Sequence, residues 1–290
     1  MTAIGARFER VIREIDRTLD HPLDMDLLAD KAAYSRFHFQ RQFSALLGIG
    51  VADYQRLMRL NRAGHQLAFR PEQSVTDIAY EAAYQNLESF SRAFKRAFGQ
   101  SPTAFRKRPD WTTWHLTYDP LLDLKGQFMP GKTLDPETIR ISLFPETLVA
   151  ALEHRGPQTG LTASAQQFIA WRRAYGLPPS RHATFNILYD DPKATPPEDF
   201  RFDFCCSVSA PVPDNGYGMV TKTIPGGRCA VIRHSGSLDF AEAAIRSLYR
   251  DWLPESGEEL RDFPLFVQRL SFYPDVPEHE AETDIFLPLK

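Results

Sequence analysis

Two nine-residue stretches carry side chains suited to reading hydrogen-bonding edges. Residues 35–43 read SRFHFQRQF and residues 86–94 read NLESFSRAF. Phe39, Arg41 and Phe43 recur 51 positions later as Phe90, Arg92 and Phe94. In each stretch the two phenylalanines stand at i and i+4, the spacing of one buried helical face. The outward side then presents Arg36, Phe37, Gln40 and Arg41 in the first copy, and Leu87, Glu88, Ser89 and Arg92 in the second. Arginine can donate two bonds to guanine, glutamine can bond adenine, phenylalanine can touch a thymine methyl, and glutamate can accept from cytosine. Lys95, Arg96, Arg106 and Lys107 suit phosphates, which position a duplex without specifying its sequence. Any one of these charges could be a solvated surface side chain, but the recurrence of arginine at matched positions favours base contact.

These side chains need elements to hold them. Ile4, Phe8, Val11, Ile12, Ile15 and Leu19 repeat at helical spacing, so a first helix is expected over residues 4–20. Asp24 can cap a short helix holding Leu27, Leu28 and Ala29, and Ser35 can cap the next. In the second copy Ser74 or Thr76 supplies the first cap. Ile78 and Ala79 match Leu28 and Ala29 at an offset of 50, whereas Asn86 matches Ser35 at 51, so the second turn carries one extra residue. Gly99 should end that helix, and Ser101-Pro102 should start a short final one. Tyr54, Leu57, Leu60, Ala63 and Leu67 fit one connecting helix between the copies. Two short helices joined by a tight turn make a helix-turn-helix, whose second helix can enter a major groove. Two such readers on a rigid connector predict that one chain reads two adjacent segments, about 34 Å apart, of double-stranded DNA. Charge agrees: residues 1–108 hold 17 Lys/Arg against 12 Asp/Glu, and the remainder 17 against 25.

After a partly ordered connector over 109–136, the texture changes to strands. TLVAALEHRG is answered by GRCAVIRHSG, with His234 80 positions after His154. A helix follows each, with Trp252 81 positions after Trp171, and then two strands, with Asp284 81 after Asp203. The expected fold is multidomain: an all-α N-terminal domain (1–108) with two helix-turn-helix motifs, then an α+β domain (137–290) of two strand-helix-strand-strand modules about a pseudo-twofold axis. The seam between the modules is a natural ligand cleft.

Several classes of chemistry find no support. Three cysteines are too few for a disulfide framework and none has zinc-ligand spacing. No G-x-S-x-G, metal cluster or phosphate loop occurs, so no catalytic residue, cofactor or metal is expected. The amphipathic start is not a signal peptide, and no run is long and apolar enough for a membrane span, so a cytoplasmic protein without membrane partners is expected.

The segments SVTDIAYEAAY and ESFSRAFKRAFGQSPTAFRK, with LLADKAAYSRFHFQRQFSALLG before them, resemble the two helix-turn-helix motifs of the bacterial AraC/XylS transcription regulators. Two departures stand out: Ala83-Tyr84 where that family has glycine before the aromatic residue of the second turn, and Gly50-Val51 where Ser-Pro would fit the first copy. GGRCAVIRHSGSLDF, YRDWLPESG and TDIFLPL are similar to the gyrase-inhibitor-like effector-binding domain. Together these resemblances imply a transcription regulator with a small-molecule effector and RNA polymerase as a partner. Candidate pocket aromatics are Trp171, Tyr189, Phe204, Tyr217, Trp252, Phe266 and Tyr273, each of which could equally be core. Many such domains carry an acid after P-x-F on the penultimate strand, where it pairs with cationic drugs; here Pro264-Leu265-Phe266 is followed by Val267. An apolar site without a carboxylate disfavours cations, so a neutral aromatic or hydrophobic effector is expected. The alternatives are a protein-interaction module in place of the sensor, and a hydrolase of electrophilic small molecules; Val267 removes the acid the latter would use.

Overall fold

The structure, a computed structural model, describes residues 3–128, 138–238 and 241–290. Its contacts divide the chain into two units: residues 1–130 with 273–279, and residues 131–272 with 280–290.

The first unit is helical. Helix α1 (Ala3–Arg17) precedes α2 (Met25–Ala32) and α3 (Arg36–Leu47), the first helix-turn-helix. Helix α4 (Val51–Phe69) leads to the second, α5 (Val75–Glu81) and α6 (Leu87–Phe98), and α7 (Pro102–Lys107) follows. The expected caps are in place. Asp24 accepts from the backbone of Asp26 and Leu27, Ser74 from Asp77, Asn86 from Ser89 and Ser101 from Ala104. Phe39, Phe43 and Leu47 on α3, and Phe90, Phe94 and Phe98 on α6, form the buried stripes. Burying each such ring contributes roughly 1.5–3 kcal/mol.

The two turns have the same geometry. Ala33 and Ala83 both adopt left-handed backbone, with φ of 54° and 61°. Tyr34 donates its backbone N–H to Ala29 and Tyr84 donates to Ala79, again 50 residues apart. The offset grows to 51 only afterwards, because Gln85 is inserted before the Asn86 cap. This chain therefore builds a left-handed turn twice without glycine.

In place of a partly ordered connector, residues Trp111–Phe128 form α8. Trp111, Trp114, Tyr118 and Leu121 make one buried helical stripe, and Asp110 accepts from the backbone of Thr112 and Thr113 at its start. Pro109 and Pro120 argue against a helix in the sequence, yet the aromatic stripe prevails. Trp114 lies 3.4 Å from where a Cβ on Gly64 of α4 would stand, so the helices meet closely there. Lys125 of α8 is buried in this unit between Asp16 (2.9 Å) and Glu278 (2.8 Å). The rest of the expected connector, 129–136, lies outside the described residues.

The second unit is one antiparallel sheet of eight strands: β1 (Arg140–Phe144), β2 (Thr147–Arg155), β3 (Thr184–Leu188), β4 (Arg201–Ser207), β5 (Met219–Ile224), β6 (Gly227–Ser235), β7 (Leu265–Arg269) and β8 (Glu282–Pro288). Their order is β1-β6-β8-β7-β3-β4-β2-β5, which reads the same from either end once the two halves are equated. The edge strands are exchanged: β1 precedes β2 in the chain but pairs with β6, and β5 precedes β6 but pairs with β2. The halves meet where β3 pairs with β7, Asn186 opposite Val267. One face carries α9 (Leu161–Ala174) over β2 and β4, and α10 (Glu242–Ser247) with the turns to Ser256 over β6, β7 and β8. The opposite face is packed with Phe144, Phe185, Phe266 and Phe286.

Candidate functional site

The DNA-reading candidates sit as the helical phase requires. Arg36, Phe37, Gln40 and Arg41 are exposed on α3, and Leu87, Glu88 and Arg92 on α6. Phe37 is 84% exposed, an unusual position for an aromatic side chain unless it has a partner to cover it. It corresponds to Glu88 in the second copy, so the two helices offer different chemistry at one matched position. Glu88 accepts a 2.7 Å bond from Arg92, and both are largely in solvent. Arg36 pairs loosely with Asp26 of α2 at 3.7 Å. Ser89 is half-buried and donates its hydroxyl to the Asn86 carbonyl, so it is partly committed to its own helix start. Lys95, Arg96 and Lys107 are exposed, whereas Arg106 is half-buried in α7.

The pocket candidates do not gather in one place. Trp171 belongs to an α9 cluster with Leu152, Phe168, Cys206 and Met219, against which Phe204 and Tyr217 pack half-buried. Trp252 packs on the α10 cluster that contains Val267, Leu248 and Ile285. These five aromatic and aliphatic candidates share the helix-covered side of the sheet. Phe266 is on the other face, fully buried, with Phe144 at 4.8 Å and Phe286 stacked at 4.9 Å. Tyr189 is also on that face, donating its hydroxyl to Asp203 at 2.8 Å. Tyr273 belongs to the helical unit, where its ring meets His65 at 4.9 Å. The reason is the two-residue period of strands: a list of aromatics chosen by type mixes both faces.

The faces differ in charge. Asp203, with no exposure, is held by Arg155 (3.1 Å) and Lys222 (2.5 Å), and Lys222 also reaches Glu153 at 2.5 Å. Burial alone would pull the Lys222 ammonium down, but its bonds to Asp203 and Glu153 hold it well above the usual lysine range. The Lys222 bond likewise holds the Glu153 carboxyl below its ordinary value. In the other half Asp284 is gripped by Arg233 at 2.5 Å and by Arg140 at 3.3 Å. Both repeat-related aspartates are thus engaged on the phenylalanine-lined face.

On the helix-covered face, two residues escaped the reading from sequence. Asn186, only 3% exposed, sits between Phe204 and Val267 in the register. Thr283, 1% exposed, sits between Arg269 and His234, and its hydroxyl has no hydrogen-bond partner. Their signal was available: polar residues in phase with the apolar face of a central strand. The repeat-related histidines hold loops. His154 contacts Ser164 at 2.9 Å and the Gly156 carbonyl at 3.1 Å, and His234 donates to the Ser237 carbonyl at 2.9 Å.

Comparison with known proteins fits this geometry. Residues 137–290 match the GyrI-like small molecule binding domain, and residues 28–108 match a helix-turn-helix domain. The probable transcriptional regulator YgiV of Escherichia coli (strain K12) is 43% identical over 162 residues, which are 56% of this chain and 99% of that protein. The right origin-binding protein of the same strain is 37% identical over 98 residues, a third of each chain. The cryo-EM structure of the EcmrR–DNA complex in EcmrR-RPo aligns over 89% of this chain and 85% of its own, at 15% identity and a TM-score of 0.44. Among the described residues no helix is long and apolar enough to cross a membrane. The chain belongs to the GyrI-like small-molecule-binding family and carries an AraC-type helix-turn-helix domain ahead of it: it is a DNA-binding transcription regulator joined to a small-molecule-binding domain.

Proposed function

We propose that this cytoplasmic regulator reads an asymmetric DNA site of two major-groove segments and adjusts transcription when a non-cationic aromatic molecule enters its GyrI-like domain. The observation that carries the reading is the matched pair of helices, α3 and α6, with equivalent caps, equivalent buried stripes and exposed arginines at Arg41 and Arg92. Arg36, Phe37, Gln40 and Arg41 read one segment, and Leu87, Glu88, Ser89 and Arg92 the other. Lys95, Arg96 and Lys107 meet phosphates. Arg106, half-buried in α7, is assigned to phosphate with them. RNA polymerase is the partner through which a bound regulator acts. No catalysis is assigned, in keeping with the regulatory names of the relatives.

On the sensor side, the helix-covered side groups Trp171, Phe204, Tyr217, Trp252 and Val267, and we assign the effector to that side. Val267 there has no exposure and packs among Leu265, Ile285 and Leu248, so the position that could pair with a cation is apolar. A binding site enriched from random duplexes should shift in affinity when a panel of neutral aromatic compounds is titrated into the complex. Compounds that bind the protein yet leave DNA affinity and transcription unchanged would refute the regulatory link.

A further inference from the structure

We infer that the helical unit carries a small-molecule site of its own, a cavity of about 230 Å³ suited to a neutral, planar ligand that both donates and accepts a hydrogen bond, such as an aromatic carboxamide. The site goes beyond the effector reading above and does not depend on it. All of the residues that line the cavity belong to the helical unit. Asp16, Arg17, Leu19 and Asp20 come from the end of α1 and the turn after it, Met58, Asn61 and Arg62 from α4, and the rest from residues 273–278. A cavity of about 150 Å³ is enough for benzene, so this one has room for a single ring with a polar substituent.

The charges around the cavity are already matched. The Lys125 ammonium stands between Asp16 (2.9 Å) and Glu278 (2.8 Å). Arg17 pairs with Glu14 at 2.6 Å, Asp20 with Arg62, and Asp275 with Arg70. A charged ligand would therefore enter without a free counter-ion, and burying an unpaired charge is costly. Two other atoms of the lining residues are buried without a partner. Asn61 is only 5% exposed, and its side-chain carbonyl oxygen has no hydrogen-bond partner. The Nε–H of the next residue, Arg62, is unpartnered as well; that guanidinium spends its Nη2 on Asp20 and the Glu81 carbonyl. Buried polar atoms without partners are unfavourable and uncommon. A carboxamide satisfies both, its NH₂ donating to Asn61 and its carbonyl accepting from Arg62. Met58, Pro274, Val276 and the ring of Tyr273 supply apolar surface for the aromatic body. Tyr273 is itself placed by His65, with ring centroids 4.9 Å apart.

The test uses the full chain and three matched probes, benzamide, benzoate and benzylamine, in calorimetric titrations. The wild type should bind benzamide about tenfold or more tighter than either charged probe. Asn61→Leu should weaken benzamide about tenfold or more, because the bound NH₂ then loses its acceptor. The same variant should melt no lower than the wild type, since an apolar side chain replaces an unpartnered buried amide. Val276→Trp, which leaves both polar atoms of α4 in place, should abolish benzamide binding by filling the cavity, and it carries the test if Asn61→Leu fails to fold. A charged probe that binds as tightly as benzamide overturns the neutral-ligand assignment. Benzamide binding that survives in the folded variants overturns the site, and so does a wild type that binds none of the probes. Because the sheet is untouched by both variants, the response to an effector bound there should persist in them whichever way this test falls.

Discussion

Replacing Arg92 by alanine should separate a reading role from a structural one. Its ion-pair partner Glu88 is 79% exposed and Arg92 itself 67%, with 2.7 Å between them. An exposed i,i+4 pair contributes about 0.3–0.5 kcal/mol, and less at high salt. The capping bond from Asn86 and the stripe of Phe90, Phe94 and Phe98 do not involve this side chain. Loss of Arg92 should therefore change urea stability by less than about 0.5 kcal/mol. A base contact is larger, about 1–3 kcal/mol, or roughly five- to 150-fold in affinity for the specific site. Glu88→Ala should act in the other direction on non-specific DNA, because it removes a negative charge beside the phosphates. Fluorescence anisotropy on specific and scrambled duplexes, at two salt concentrations, measures all of this. Equal loss on both duplexes would reassign Arg92 to phosphate contact, and a fall in stability matching the fall in affinity would make it structural.

Other perturbations reach the fold and the sensor. Ala33→Gly and Ala83→Gly should each stabilise the helical unit by about 0.5–1 kcal/mol, since left-handed backbone costs a non-glycine residue about 1–2 kcal/mol and glycine gives back roughly half in chain entropy; both alanines are exposed, so no packing is lost, and urea melts would show it. Burial lowers His65, though the Asn61 carbonyl opposes this, and burial also lowers His234. Their folded values then lie below the unfolded value of about 6.5, so the stability they allow is present above that pH and falls as pH drops through it, by about 1.4 kcal/mol per unit of depression. Thermal melts from pH 8 to 5 should show this fall, reduced in His65→Gln. Val267→Glu should lower the melting temperature by burying a carboxylate, and lipophilic cations such as tetraphenylphosphonium should then raise it in the variant alone, read by thermal shift.

The helical half was legible from sequence because its signals are local. Caps at Asp24, Ser74, Asn86 and Ser101 lie within three residues of the amides they satisfy, and each phenylalanine stripe follows one helical period. Helix α8 was harder, because Pro109 and Pro120 argue locally for a break while the gain from burying Trp111, Trp114 and Tyr118 is tertiary. In the sheet, the duplication at 80–81 residues gave the modules, but not the exchange of β1 and β5 between them, which is a long-range pairing choice. The pocket suffered most. Phe266 and Val267 are neighbours in the chain and lie on opposite faces, and only strand register shows which one shares a side with Trp252. Asn186 and Thr283 acquire meaning only from what stands across from them on the adjacent strands.

The central claim is that one chain carries two DNA readers of the same design, and hydroxyl-radical footprinting of single variants tests it most directly. On a site enriched from random duplexes, wild-type protein should protect two segments one helical turn apart, about 10–10.5 base pairs between centres. Arg41→Ala should relax sequence preference and weaken protection in one segment, and Arg92→Ala in the other, with each leaving its neighbour protected. Loss of the same base pairs in both variants, or an unchanged footprint in either, would contradict the assignment of α3 and α6 as tandem readers.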